Sequence, residues 1–148
     1  MRVVLQRCKK AKVSVDNKVL GEIKQGYVLL VGFCQNDGLK QIDYCVRKIA
    51  NLRIFSDEND KLNLDLKQVG GEILSISQFT LYADTKKGNR PSFTNAQVPD
   101  LAQANYQLFN QKLTALGFEV KTGQFGADMQ VELINDGPVT IIYDTDNR

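Results

Sequence analysis

Strand patterning that returns along the whole chain constrains this fold more than any other feature of the sequence. Residues 2–15 are rich in Val and alternate in polarity, the period of a strand whose side chains point to opposite faces. Asp16-Asn17 signals a turn into Lys18–Lys24. After Gln25-Gly26 comes Tyr27-Val28-Leu29-Leu30-Val31-Gly32-Phe33, an apolar run typical of a buried strand. Leu52–Phe55 reads as a short strand, Ser56–Asp60 as a turn, and Glu72–Leu81 as a strand that is polar in its second half. Phe118–Lys121, Met129–Ile134 and Val139–Tyr143 close the chain as strands, with Met129, Val131 and Leu133 on one face and Gln130 and Glu132 on the other.

Helical spacing occurs twice. Between Gly38 and Asn51 it brings Ile42, Cys45, Val46 and Ile49 onto one face. After Pro99, with Asp100 as a cap, Leu101, Tyr106, Leu108, Phe109, Leu113 and Leu116 form an apolar stripe that Gly117 stops. Ala83 to about Val98 is left as a loop. No linker, repeat or low-complexity segment divides residues 1–148. The expectation is one compact α+β domain, mostly antiparallel sheet with two main helices.

Composition narrows the chemistry. The chain of 148 residues has no histidine, which excludes Ser-His-Asp and Cys-His catalysis and His-ligated metals. Cys8, Cys34 and Cys45 lack metal-ligand spacing and read as reduced thiols of a cytoplasmic protein. No apolar run approaches the ~18 residues that span a bilayer, and no signal-peptide pattern opens the chain. The net charge of +2 is far below that of a dedicated duplex-binding domain. Two local basic clusters, Arg7–Lys12 and Lys86–Arg90, suit either a solvated face or contact with an RNA backbone.

Two segments break local rules. In Ser75-Ile76-Ser77-Gln78-Phe79-Thr80, three hydroxyls and an amide crowd a strand that starts as core. The segment reads either as a half-exposed strand or as a strand end whose main-chain N–H groups face a substrate, donors that need no ionisable partner. In Asn135-Asp136-Gly137-Pro138-Val139-Thr140, Pro138 interrupts strand pattern, where it cannot donate a ladder bond. It forms either a plain turn between edge strands or a rigid corner that holds carbonyl oxygens in fixed directions. Only ~5–6% of X-Pro bonds in folded proteins are cis, so the pattern alone assigns no cis bond. The carboxylate pairs Asp57/Glu58 and Asp144/Asp146 sit in turn and tail contexts without an acid-base role.

Several stretches together carry a resemblance: Met1–Arg7 with Ala11-x-Val13-x-Val15, Leu52-Arg53-Ile54-Phe55, Ser77-Gln78-Phe79-Thr80-Leu81, Lys87–Phe93, and Gly123 through Thr140 with its Gly126-Ala127-x-Met129 and Asn135-Asp136-Gly137-Pro138 segments. In this order, along the whole length, they resemble the D-aminoacyl-tRNA deacylases of the bacterial and eukaryotic type. The resemblance implies a homodimer that hydrolyses the ester between a D-amino acid, or mischarged glycine, and the 3′-terminal adenosine of tRNA, with no cofactor, no metal and no membrane partner. It implies a cis Gly137-Pro138 bond reaching into the partner subunit's pocket, where main-chain carbonyls exclude L substrates. Ser77, Gln78, Phe79 and Thr80 would line the ester, with main-chain N–H groups on the oxyanion, Thr80 positioning rather than attacking, and the substrate 2′-hydroxyl assisting water. Arg7 and Met129 would brace the corner and the adenosine pocket, and Lys86–Arg90 would face the tRNA. Asp60 and Leu62 stand where family members commonly show Gly and Met. A nucleic-acid binding module of the same fold and an esterase for small D-amino acid esters are the competing readings.

Overall fold

The structure, a computed structural model, describes residues 1–147. Its organising element is β1 (Arg2–Val15), which pairs antiparallel with three other strands. Asp16 and Asn17 both take left-handed conformations (φ 50° and 63°) and close a two-residue hairpin to β2 (Lys18–Ile23), with Val15 opposite Lys18. β3 (Gly26–Gly32) takes over where β2 leaves β1, running from Gly26 opposite Cys8 to Gly32 opposite Arg2.

α1 (Leu39–Ala50) follows, its first turn closed by the Gln41 amide oxygen accepting from the Gly38 N–H at 3.1 Å. It buries Ile42, Cys45, Val46 and Ile49, the face that the spacing marks. β4 (Arg53–Ser56) and β5 (Leu62–Asp65) form a separate small hairpin. The turn between them places Asp60 at φ 57°, a conformation that Asp tolerates better than most residues. β5 escapes the sequence reading because four residues give too short a period.

β6 (Glu72–Ser77) lies parallel to β3, and β7 (Val120–Thr122) lies parallel to β6. Among the described strands, antiparallel pairing is therefore made by β1 with its partners and by the β4–β5 hairpin. β8 (Gln130–Asp144) runs antiparallel to β1 as one strand where the sequence suggests two.

α2 (Pro99–Ala115) starts with Pro99 in its first turn and Val98 at the N-cap, so Asp100 is not the cap. Proline's fixed φ suits that position, and the Asp100 carboxylate favours the positive end of the helix dipole. The buried face is Ala102, Asn105, Tyr106, Phe109 and Leu113, rotated from the expected stripe, and Leu101 and Leu116 remain 46% and 43% exposed. Gly117, at φ 94°, ends the helix as its position suggests.

One core fills the space between the sheet and the helices, around Leu5, Tyr27, Leu29, Ile42, Ile73 and Phe109. A smaller one, around Val13, Ile23, Val28 and Leu74, fills the opposite face.

Asn105 is turned inward by a polar network. Its amide donates to Gln97 Oε1 at 2.8 Å, and the Gln97 amide donates to the Asp37 carbonyl at 3.0 Å. The Asp37 carboxylate pairs with the Met1 α-ammonium at 2.5 Å and accepts the Cys34 N–H at 2.7 Å. Both charges are almost entirely out of water, so removing one strands the other. Asp37→Ala is expected to lower the unfolding free energy by about 3–5 kcal/mol. Urea denaturation reads this directly, and a loss under about 1 kcal/mol would mean that water replaces the carboxylate.

Candidate active site

The hydroxyl-rich segment is a strand end. Ser75 is fully buried, so the strand has no wet hydroxyl face; Ser77, opposite Val31, is the last residue of β6. The Gln78 N–H still donates to the Val31 carbonyl at 2.7 Å, and the chain then winds into a 3₁₀ turn over Phe79–Tyr82. Gly32 makes room for that turn. A Cβ there would lie 2.8 Å from the Gln78 carbonyl oxygen and 3.2 Å from Leu81 Cβ.

Arg2 ties down the other end of the turn. Its guanidinium donates to the Leu81 carbonyl at 2.9 Å and to Asp144 at 3.0 Å, and sits 4.7 Å from the centre of the Tyr82 ring. Gly32 is marked by no motif, and Arg2 falls in the Met1–Arg7 stretch without any role assigned to it. Their roles follow only once β3, β6 and β8 are placed side by side.

The first N–H groups of a helical turn have no acceptor within it. Here those groups belong to Phe79 and Thr80. The Gln78 side-chain amide donates to Thr80 Oγ1, and an amide cannot remove that hydroxyl's proton. Phe79 is 57% exposed and meets Phe93 edge-on, with ring centres 5.0 Å apart. Just before Phe93, paired hydrogen bonds of 2.8 and 2.9 Å between Asp84 and Ser92 close the loop that carries Lys86–Arg90. The segment thus combines main-chain donors, an apolar ring and a neighbouring basic loop.

The second segment projects from β8. Asn135 pairs with Cys8 and Thr140 with Gln6, so Asp136 to Val139 bulge out opposite the single residue Arg7. The Gly137-Pro138 bond is cis, Gly137 takes φ 132°, and both residues are exposed. Arg7, itself only 9% exposed, holds the base of the corner. Its Nε donates to the Asp136 carbonyl at 2.9 Å and its Nη1 to the Ile54 carbonyl of β4. Asn135 accepts the Val139 N–H at 2.8 Å from the other side. A Cβ on Gly137 would come within 2.9 Å of Arg7 Nη2 and of Val139 Cγ2, so glycine is needed for space as well as for φ. The neighbouring Cys8 thiol is pushed up to about 11 by burial and stays protonated at neutral pH.

The two segments lie apart within one chain. Ser77 is level with Val3 through Val31, whereas the corner is level with Arg7, about 13 Å further along β1. Three strand spacings, about 14 Å in all, also separate β6 from β8. Met129 joins neither segment. It packs beside Gly123 and Val13 on the smaller core, at the start of β8.

The fold matches that of solved structures. One described as "Structural Analysis of a probable eukaryotic D-amino acid tRNA deacylase" aligns with a TM-score of 0.83 over 96% of this chain and 97% of its own, at 18% identity, a likeness of fold. Another, described as "c-Myc DNA Unwinding Element Binding Protein", aligns with a TM-score of 0.91 over 98% of this chain and 99% of its own, at 38% identity. The family model described as D-Tyr-tRNA(Tyr) deacylase matches residues 4–144. The chain belongs to that family, and its activity is hydrolysis of D-aminoacyl-tRNA.

If Gly32 sets the position of the 3₁₀ turn, Gly32→Ala displaces the Phe79 and Thr80 N–H groups. A fall in kcat/KM on D-Tyr-tRNA of about 10²-fold is expected, since a shift of about 1 Å in positioning groups costs that much. Steady-state kinetics on the folded variant check this, and unchanged kinetics would dissociate the turn from the reaction.

Proposed function

We propose that the chain works as a homodimer in which Gly137 and Pro138 of one subunit reach the Ser77–Thr80 segment of the other, completing a site for the 3′ end of D-aminoacyl-tRNA. The observation that carries this reading is the arrangement itself. An exposed, rigidly braced corner and an exposed turn of main-chain donors lie too far apart in one chain to share a substrate. A cross-strand row on the outer sheet face offers a surface for the second copy. Ile142, Val4 and Leu30 are in register across β8, β1 and β3, and Ile142 is 67% exposed.

In this site the carbonyl oxygens of Gly137 and Pro138 face the α-carbon of the bound aminoacyl group. An L side chain collides with them, whereas a D side chain points outward and glycine also fits, so mischarged glycyl-tRNA is a substrate too. Arg7 keeps the corner from yielding, and Met129 fills the space beneath the strand that leads to it. Water adds to the ester carbonyl, assisted by the 2′-hydroxyl of the terminal adenosine. The Phe79 and Thr80 N–H groups stabilise the resulting oxyanion. Collapse expels the adenosine 3′-oxygen, which takes the proton lost by water, and releases free tRNA and the amino acid. Gln78 and Thr80 position the ester, with Ser77 anchoring the strand end beneath them, and the Lys86–Arg90 loop meets the RNA. No helix among the described residues is long and apolar enough to cross a membrane. An aminoacyl-tRNA substrate supports a cytoplasmic site of work.

Hydrolysis of D- and L-Tyr-tRNA by purified protein tests the reading. The native chain is expected to cleave only the D ester, and Thr80→Ala to keep turnover within about 10-fold, the loss of one positioning hydrogen bond. Gly137→Ala, which pushes the corner against Arg7, is expected to reduce the D/L ratio by at least 10-fold, or about 1.4 kcal/mol. Cleavage of neither ester by the folded native chain would overturn deacylation. It would favour a nucleic-acid binder, the reading suggested by the name of the 38% identical structure.

The dimer has its own test. Ile142→Lys places a charge on the apolar row and is expected to give a folded monomer in sedimentation, with deacylation lost. An active monomer would show that one chain suffices.

A further inference from the structure

Beside the corner lies a groove that the reaction above does not use. It is lined by Arg47 and Lys48 from the last turn of α1, Asn51 and Leu52 from the following loop, Arg53 of β4, and Ile141 and Tyr143 of β8, and encloses about 550 Å³. Three cations line it and no carboxylate does. The nearest acid on α1, Asp43, is held by Lys112 at 2.8 Å. Asp65, opposite Arg53 on β5, accepts the Gln68 N–H at 2.9 Å. The Arg53 guanidinium is oriented by the Asn63 carbonyl, 2.7 Å from its Nε. At the floor, burial pushes the Tyr143 hydroxyl up to about 12, so it is a neutral hydrogen-bond donor.

A helix C-terminus attracts cations for its own stability, which accounts for Arg47 and Lys48 but not for Arg53 on a different element. Three cations converging on a polar groove with an apolar floor match a ribose-phosphate chain, which presents charge at regular intervals beside uncharged sugar surface. The location strengthens the match. Arg7 donates both to Ile54, the residue after Arg53, and to Asp136 at the base of the corner, so groove and corner share one anchor.

We propose that this groove binds the ribose-phosphate backbone of tRNA. The inference rests on the dimeric reading above, in which the corner enters the partner's pocket and carries its own subunit's groove to the side of that pocket. The tRNA whose ester is cut in one subunit is then gripped by the other.

Binding of uncharged tRNA, measured against salt concentration, tests this without requiring turnover. Arg47→Gln/Lys48→Gln is compared with Lys18→Gln/Lys24→Gln, which removes the same charge from exposed positions at the two ends of β2, each checked by thermal melting. The groove variant is expected to bind about 10-fold more weakly near 0.1 M salt, with the slope of log affinity against log salt reduced by about 1.5, the change for two lost phosphate contacts. The Lys18/Lys24 variant should keep the native affinity. Native affinity in the groove variant, or equal weakening in both, would overturn the proposal. If the double substitution fails to fold, Lys48→Gln alone is expected to reduce the slope by about 0.8, and an unchanged slope overturns the proposal equally. Failure of the deacylase reading shows separately, as native protein that cleaves neither D- nor L-Tyr-tRNA, while the binding comparison still decides the groove.

Discussion

The hydrogen-bonded ladders on β1 are the constraint on which the rest of this structure depends. β2, β3 and β8 all take their register from it, and β6 and β7 inherit theirs through β3. The position of the 3₁₀ turn is thereby referred to Val3 and that of the Gly-Pro corner to Arg7. A side chain has several rotamers to lose on binding, whereas a carbonyl or N–H at a fixed ladder position has already lost its freedom in folding. A chain without histidine can hold reactive geometry in this way, by main-chain groups whose directions the sheet sets.

Arg7 and Arg2 have a similar architectural task, one in the middle of β1 and the other at its start. Each uses a guanidinium, with several donors in a fixed plane, to join two acceptors from distant parts of the chain: two main-chain carbonyls for Arg7, and one carbonyl and one carboxylate for Arg2. Arg7 fastens the corner to β4, and Arg2 fastens the 3₁₀ turn while pairing with Asp144. A lysine, with a compact charge on a flexible stem, could not bridge two such acceptors with the same geometry. The basic cluster of residues 7–12 is therefore not uniform, since its first member is a buried structural tie.

Much of this was legible because local patterns carried it. The alternation of residues 2–15, the Asp16-Asn17 turn, the buried face of α1 and the Gly117 stop all depend on neighbours in sequence. The hydroxyl stretch and the Gly-Pro corner stood out because they violated those patterns. What escaped depends on distant partners. Parallel pairing of β3 with β6 leaves no local trace, and the service of Gly32 to a turn 46 residues later is invisible until the two strands lie side by side. The buried face of α2 was misjudged because Asn105 looks polar on paper, yet Gln97 and the Asp37 loop supply what its amide needs. The cis state of Gly137-Pro138 was implied by the family resemblance alone, because nothing in the dipeptide itself marks it.

Those clamps have a consequence for how the corner can change over time. On one side β8 is held at Asn135 opposite Cys8, and on the other at Thr140 opposite Gln6. Between these posts the chain is held by Arg7 and Asn135 and by no ladder. An inserted or deleted residue elsewhere in β8 would turn every following side chain to the wrong face of the sheet. Between residues 135 and 140 the same event leaves the ladders in register, and its effect falls on the reach and bracing of the protrusion. Loop length is thus a quantity that drift can alter here without disturbing the core, one residue at a time.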